Sequence, residues 1–163
     1  MQKEEKINFL KYYVKPHNKI SRDVEKKDLK TLIKDANILY NLCFTRTGFY
    51  NGGFAVAHQQ INKKDPLRFF VTHKEEIIVN PVIVKHTKTT VDSQEGCLSF
   101  PDKRMITVQR WYKCVVRFQT LSYDEDKKED ILSDFIEKNL KGKDAFIYQH
   151  EIGHFDCDYI FET

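Results

Sequence analysis

No stretch of this 163-residue chain is apolar and long enough to cross a bilayer as a helix. The N-terminus, Met1-Gln2-Lys3-Glu4-Glu5-Lys6, is charged and has no apolar segment behind it, so it is not expected to be a secretory signal. A cytoplasmic location is the resulting expectation. None of the four cysteines, Cys43, Cys97, Cys114 and Cys157, forms a C-x-x-C pair, so they are expected to be thiols in a reducing compartment. Charge of one sign is also scarce. A formal net charge of +3, spread over scattered lysines, is too weak to indicate a nucleic-acid partner. There is no internal repeat, low-complexity tract or linker, and the length suits one core rather than two, so one domain over residues 1–163 is expected.

Aromatic residues are plentiful: twelve Phe, eight Tyr and one Trp give the chain a folding composition. Residues 28–43 place Leu29, Leu32, Ile33, Ala36, Leu39, Tyr40 and Cys43 at three-to-four spacing, which predicts a helix with Asp28 as N-cap. Residues 45–53, with Gly48, Asn51, Gly52 and Gly53, read as a loop. The pattern then turns to short strand-like runs: Arg68-Phe69-Phe70-Val71, Ile77-Ile78-Val79 and, after Pro81, Val82-Ile83-Val84. Two more strands are expected over 105–108 and 114–121. Residues 123–130 are almost all charged and read as an exposed turn or loop, and 131–141 suit helix and strand alike. Gly142 precedes a last helix over 143–156, anchored by Ala145, Phe146, Ile152 and Phe155. Cys43 and Cys114, among apolar neighbours, read as core cysteines. Strands followed by one buried helix make an α+β fold.

That last helix carries His150-Glu151-Ile152-Gly153-His154. Histidines four apart project from one helix face a turn apart and can share a metal ion. The glutamate after the first can take a proton from a metal-activated water, which is the H-E-x-x-H arrangement of zinc-type hydrolases. The alternative is a polar helix face whose histidines bond only to water. A second segment, Glu95-Gly96-Cys97-Leu98-Ser99-Phe100-Pro101, offers a thiolate suited to Zn or Fe(II), or a buried free cysteine.

Taken together, these segments resemble peptide deformylases. The family motif E-G-C-L-S is intact at 95–99, and Q-H-E-x-D-H stands at Gln149–His154 with Gly153 in place of Asp. The more degenerate G-x-G-L-A-A-x-Q aligns with Gly53-Phe54-Ala55-Val56-Ala57-His58-Gln59-Gln60. Asn80-Pro81 after an apolar run, Arg104, and Gly142-Lys143-Asp144-Ala145 also fit, and the likeness covers roughly residues 28–161. The resemblance implies antiparallel or mixed sheets around a central metal-binding helix, and a metal held by Cys97, His150 and His154 with one position open. The ion would be Fe(II), with Zn, Ni or Co able to substitute. Glu151 would be the general base, and the Leu98 backbone N–H and the Gln60 amide the donors to the oxyanion. The substrates would be N-formyl-methionyl nascent chains, the ribosome is a candidate partner, and a monomer is the default. Gly53, Phe54, Ala55, Glu95, Gly96, Arg104, Phe146 and Ile147 fall at substrate positions. Glu95 and Arg104 would form an ion pair near the cleft, or Arg104 would touch the peptide backbone, or both would be ordinary surface charges.

The chain departs from the family pattern at Ala55, His58, Gln59, Lys143 and Gly153. Ala55 replaces a glycine where backbone and substrate come close, a change that is costly only at positive φ. A role near the metal or at the surface is expected for His58. The Lys143 stem is expected to snorkel with its ammonium in solvent. The end of the chain two residues after Phe161 resembles compact phage-type and organelle-related members.

Overall fold

The computed structural model describes residues 15–44, 54–100 and 102–162. A 3₁₀ turn, Lys26–Asp28, leads into helix α1 (Leu29–Phe44). Strand β1 (Ala55–Ala57) and a 3₁₀ turn, His58–Gln60, are followed by β2 (Phe69–Thr72), β3 (Ile77–His86), β4 (Thr90–Glu95), β5 (Ile106–Trp111) and β6 (Lys113–Gln119). Next come β7 (Leu121–Asp124), β8 (Glu129–Leu132) and β9 (Ile136–Lys141), and then helix α2 (Lys143–Phe155). Five strands form one antiparallel sheet in the order β1-β2-β3-β6-β9, while β4–β5 and β7–β8 are two-stranded ribbons. The α+β class expected from the sequence is the one observed.

The central sheet is covered on both faces, and the sequence shows why. Side chains alternate across a strand, so a run buried at every position needs cover on both sides. In β2 all four residues are buried. Phe69 and Val71 join Leu32, Ala36 and Leu39 of α1 in one core, and Phe70 joins Ala145, Tyr148 and Phe155 of α2 in the other. Val79 and Ile78 of β3 divide in the same way. Cys114 is buried in the α2-side core, as its apolar neighbours suggested. The metal-motif helix is therefore pressed against the sheet by its apolar face.

Several elements differ from the sequence expectation. Asp28 is not the N-cap of α1. It closes the preceding 3₁₀ turn, accepting from the Glu25 amide at 2.9 Å, and takes the forked guanidinium of Arg22 at 2.8 and 2.9 Å. Residues 123–130 are not a simple turn, because their ends pair as the β7–β8 hairpin. The ambiguous 131–141 segment is mostly strand, paired with β6. β4, Thr-Val-Asp-Ser-Gln-Glu, has too few apolar residues to announce itself and exists through its pairing with β5. Expectations for the 45–53 loop, including Gly53, and for the Cys43 side chain lie outside the described residues. No described helix is long and apolar enough to cross a membrane.

The runs either side of Pro81 are one strand, β3, interrupted by a register shift against β6 between Val79 and Val82. A proline has no N–H for the ladder and is tolerated at such a bulge. Asn80 holds the bulge at φ 51°, a left-handed conformation that asparagine accepts more readily than most residues. Its side chain pairs with the Val24 backbone in both directions, Oδ1 accepting at 2.8 Å and Nδ2 donating at 3.0 Å, and Nδ2 also donates to Gln119 at 2.9 Å. Asn80→Ala removes these bonds, leaves the buried Val24 amide unpaired and strains the backbone. It is expected to lower stability by about 2–4 kcal/mol, read as a fall in the urea midpoint.

Candidate metal centre

Helix α2 starts at Gly142, whose φ of 60° excludes most side chains, and its amide donates to Tyr112 O at 2.8 Å. The helix is clamped sideways by Gln149, which acts as a strand of one residue. Its Oε1 accepts from the Trp111 amide at 2.9 Å and its Nε2 donates to Trp111 O at 2.8 Å. This fixes α2 against the end of β5, so Gln149 serves the frame of the site rather than its chemistry.

The helix ends in a Schellman turn. The Asp158 amide donates back to Gly153 O at 2.9 Å and the Cys157 amide to His154 O at 3.1 Å, with Cys157 at φ 57°. Gly153 has its reason here. A Cβ at this position would stand 3.0 Å from the Asp158 carbonyl oxygen, tighter than ordinary packing, so the returning chain passes where a side chain would sit.

These constraints bring the expected ligands together. The donor atoms of Cys97, His150 and His154 all lie within 4.8 Å of one another, and Cys97 Sγ is 3.5 Å from His154 Nε2. His150 Nδ1 is 2.8 Å from Glu95 Oε1, which leaves its Nε2 for the ligand cluster. Glu95 takes the Arg110 fork as well, at 2.8 and 2.9 Å. Of the alternatives that the sequence leaves for Glu95 and Arg104, the ion pair between them is not formed. Arg110 on β5 is the partner, and Arg104 is exposed. The β4–β5 pairing sets Glu95 opposite Ile106 and Arg110 opposite Val91 on the same face, and the Arg110 side chain spans the distance between them, which spacing along the chain does not reveal.

The electrostatics suit a cation. Burial opposes charge on Glu95, but the Arg110 fork and the His150 ring overcome it and hold the carboxyl at about 2. Burial also opposes charge on His150, yet the Cys97 sulfur and Glu95 keep its proton up to about 10. The donors that would bind a metal bind a proton in its place, and a metal must displace that proton. His154 is driven the other way, well below the usual imidazole range, by burial and by the charges of His150, Arg110 and His17. Burial raises Glu151 to about 7, and its Oε2 has no hydrogen-bond partner among the described residues although its residue is only 3% exposed. A buried carboxylate oxygen without a partner is costly. The Cys/His/His donor set and this oxygen fit a divalent ion with a water beside it.

The remaining expected residues divide. Gln60 is buried, with Oε1 accepting from the Ala57 amide at 2.9 Å and Nε2 donating to Ser99 Oγ at 3.1 Å. Leu98 packs against the α1-side core. Ala55 lies in β1 without positive φ, so the methyl there is unstrained. Gly96 is exposed, Phe54 is 43% exposed, and Phe146 and Ile147 are half-buried. Lys143 is an exposed residue whose ammonium also meets an aromatic face. Nζ sits 3.5 Å from the centre of the Phe54 ring. His58 is neither a ligand nor a surface residue. It is fully buried, stacks on Phe69, accepts from the Leu67 amide at its Nδ1 (2.9 Å) and donates from Nε2 to Asp35 at 2.7 Å, tying β1 to α1. Gln59, noted in the sequence only as a departure, contacts His154 directly.

Because the folded carboxyl of Glu95 is depressed from the ordinary 4.5 to about 2, it contributes stability above pH 4.5 that is lost as pH falls towards 2. Glu95→Gln is expected to destabilise the metal-free protein at pH 7 by about 2–3 kcal/mol. The gap to wild type should narrow as the pH is taken from 5 to 3.5 in urea titrations. A gap independent of pH would show that the charge of Glu95 is not what matters.

Known proteins match this arrangement. The polypeptide deformylase family model matches residues 6–163. A peptide deformylase of Thermotoga neapolitana is 29% identical over 111 residues, 66% of this chain and 60% of its own length. Peptide deformylase 2 of Bacillus subtilis is 31% identical over 142 residues, 81% of this chain and 71% of its own. The crystal structure of peptide deformylase from Thermotoga maritima superposes with a TM-score of 0.66 at 26% identity, covering 88% of this chain and 86% of that one. PDF from the Vibrio parahaemolyticus bacteriophage VP16T, in complex with actinonin, gives 0.64 at 30% identity, covering 88% and 92%. The chain spans 60% of the length of the Thermotoga neapolitana relative. By family model, sequence relatives and fold, this chain belongs to the polypeptide deformylase family.

Proposed function

We propose that this protein is a metal-dependent hydrolase that removes the N-formyl group from the formyl-methionine of nascent polypeptides and releases formate. The observation that carries the reading is the convergence of Cys97, His150 and His154 on one point, on a helix whose Glu151 carries a buried, unpartnered carboxylate oxygen. Three protein donors leave a fourth position open, which marks a catalytic rather than a structural site. The proposed ion is Fe(II), with Zn, Ni or Co able to take its place. When bound, it would supply Lewis acidity, polarising a carbonyl and bringing the pKa of water to about 7.

The chain's own groups would do the rest. Glu151 accepts a proton from the attacking water and returns it to the leaving amine nitrogen as the C–N bond breaks. The Leu98 N–H, adjacent to Cys97, and Gln60 Nε2 donate to the formyl oxygen as it gains charge. Gln60 is set for this because the Ala57 amide holds its Oε1, which commits the NH₂ end to the other side, now towards Ser99. Glu95 orients His150 through Nδ1. Phe54, Phe146 and Ile147 are proposed to receive the substrate side chain, and Gly53, Ala55, Gly96 and Arg104 to flank the peptide. The protein would act as a monomer in the compartment of formyl-initiated translation.

A second reading, a related amidase with another acyl or peptide preference, is favoured by one observation: the Lys143 ammonium lies on the face of Phe54. A positive charge beside a pocket residue would favour an acidic side chain over methionine.

The test is formate release from formyl-Met-Ala-Ser by anaerobically prepared, iron-loaded protein. Glu151→Ala is expected to lower kcat by about 10²–10⁴ with metal content unchanged. Unimpaired turnover in that variant would remove Glu151 as the base. Comparing formyl-Met with formyl-Glu peptides separates the two readings. Faster turnover of the glutamyl substrate, reversed in Lys143→Leu, would establish the second.

A further inference from the structure

We infer that Gln59 is the positioning residue for His154, and that the hydrogen-bond polarity of a chain running from the His17 backbone through Tyr159 and Gln59 fixes the tautomer in which His154 offers Nε2 to the metal centre. The inference rests on the metal-centre reading above and deepens it.

The argument follows from which groups must donate. A backbone N–H can only donate and a backbone carbonyl can only accept. The His17 amide donates to Tyr159 Oη at 3.0 Å, and Tyr159 Oη donates to His17 O at 2.9 Å. The single hydroxyl proton of Tyr159 is thereby used. Its remaining partner, the Gln59 side chain, must donate to it, so the NH₂ end of Gln59 faces Tyr159. Cys157 Sγ, 3.9 Å from the same nitrogen, is compatible with that orientation. The Gln59 carbonyl end is then turned towards His154, with Oε1 3.2 Å from Nδ1. An amide oxygen can only accept, so Nδ1 carries the proton and Nε2, 3.5 Å from Cys97 Sγ, presents its lone pair.

The Gln59 backbone is held by the same segment. The Lys19 amide donates to His17 Nδ1 at 3.1 Å, so His17 Nε2 carries the proton and donates to Gln59 O at 2.9 Å. Gln59 is 1% exposed and His154 2% exposed, so neither has water as an easy substitute partner. The Tyr159 ring stands edge-on to the His154 ring at 5.5 Å, which closes the far side. Each ligand imidazole therefore has its own acceptor at Nδ1: a carboxylate for His150, brought in by β4, and a neutral amide for His154, brought in by the 3₁₀ turn after β1. The neutral acceptor is consistent with the surroundings of His154, where burial already disfavours charge.

The test reads the metal and the ring directly, apart from turnover. In metal-free wild type, long-range ¹H–¹⁵N correlation is expected to show His154 as the Nδ1–H tautomer. Gln59→Leu should give a mixture of tautomers and weaken Co(II) binding by about 10–100-fold in competition with a chromophoric chelator. The ligand-field spectrum should change with it. Tyr159→Phe, which keeps Gln59 but removes the group that orients it, should give a smaller loss in the same direction. It serves as the second variant if Gln59→Leu does not fold. Wild-type affinity and an unchanged tautomer in a folded Gln59→Leu, or in Tyr159→Phe where Gln59→Leu fails to fold, would overturn the inference and leave the metal centre standing. Wild type that binds no Co(II) would overturn the metal centre and the inference with it. Co(II) binding that responds as expected in a protein that releases no formate would uphold the inference and reject the proposed reaction.

Discussion

Helix α2 faces inward with polar side chains, and the rest of the fold answers that constraint. Gln149, Glu151 and His154 are all buried, and His150 is largely so. A buried polar group without a partner costs more than a made hydrogen bond returns. The β4–β5 ribbon therefore supplies Glu95 to His150 and the Trp111 backbone to Gln149. The turn after β1 supplies Gln59 to His154. The segment after the helix returns over Gly153, where only a residue without a side chain leaves room, and brings Tyr159 to the same network. Among the described residues, Glu151 Oε2 alone of this set is left without a partner.

The apolar architecture makes such a helix tolerable. Phe70 meets Tyr148 edge-on and lies beside Phe155, so the apolar face of α2 is bound to the sheet. The opposite core, built on α1, shares β2 and β3 with it through the alternation of side chains. The bulge at Asn80-Pro81 couples the N-terminal segment to the same sheet, and that segment also carries His17 to the metal side. Stability and site geometry thus run through the same few strands. The divisions of labour differ, however: Asn80, His58 and Gln149 hold the frame, whereas Glu95 and Gln59 touch the ligands themselves.

Departures from the family pattern that looked unrelated in the sequence have separate physical reasons. His58 became a core histidine tying β1 to Asp35 of α1, with both ring nitrogens committed. Gly153 answers a close carbonyl. Ala55 is unstrained because its φ is not positive. Lys143, an exposed residue, rests its ammonium on the face of Phe54.

The sequence by itself determined what depends on local geometry. The spacing of His150 and His154 puts two imidazoles on one helical face whatever surrounds them, and the uninterrupted run Phe69-Phe70-Val71 demands cover on two sides. Helices α1 and α2, the main strands and the two helical histidines were legible for that reason, whereas Cys97 was marked only by the resemblance of its segment to peptide deformylases. Only the tertiary structure decided the pairings between distant segments. Arg110 rather than Arg104 meets Glu95, because the β4–β5 ribbon puts them on one face, where the long Arg110 side chain reaches along from its place opposite Val91. β4 is a strand because β5 lies beside it, its own residues being too polar to say so. Gln59 reaches a histidine 95 residues away. Hydrogen-bond direction is a property of a closed network, and no single stretch of chain contains one.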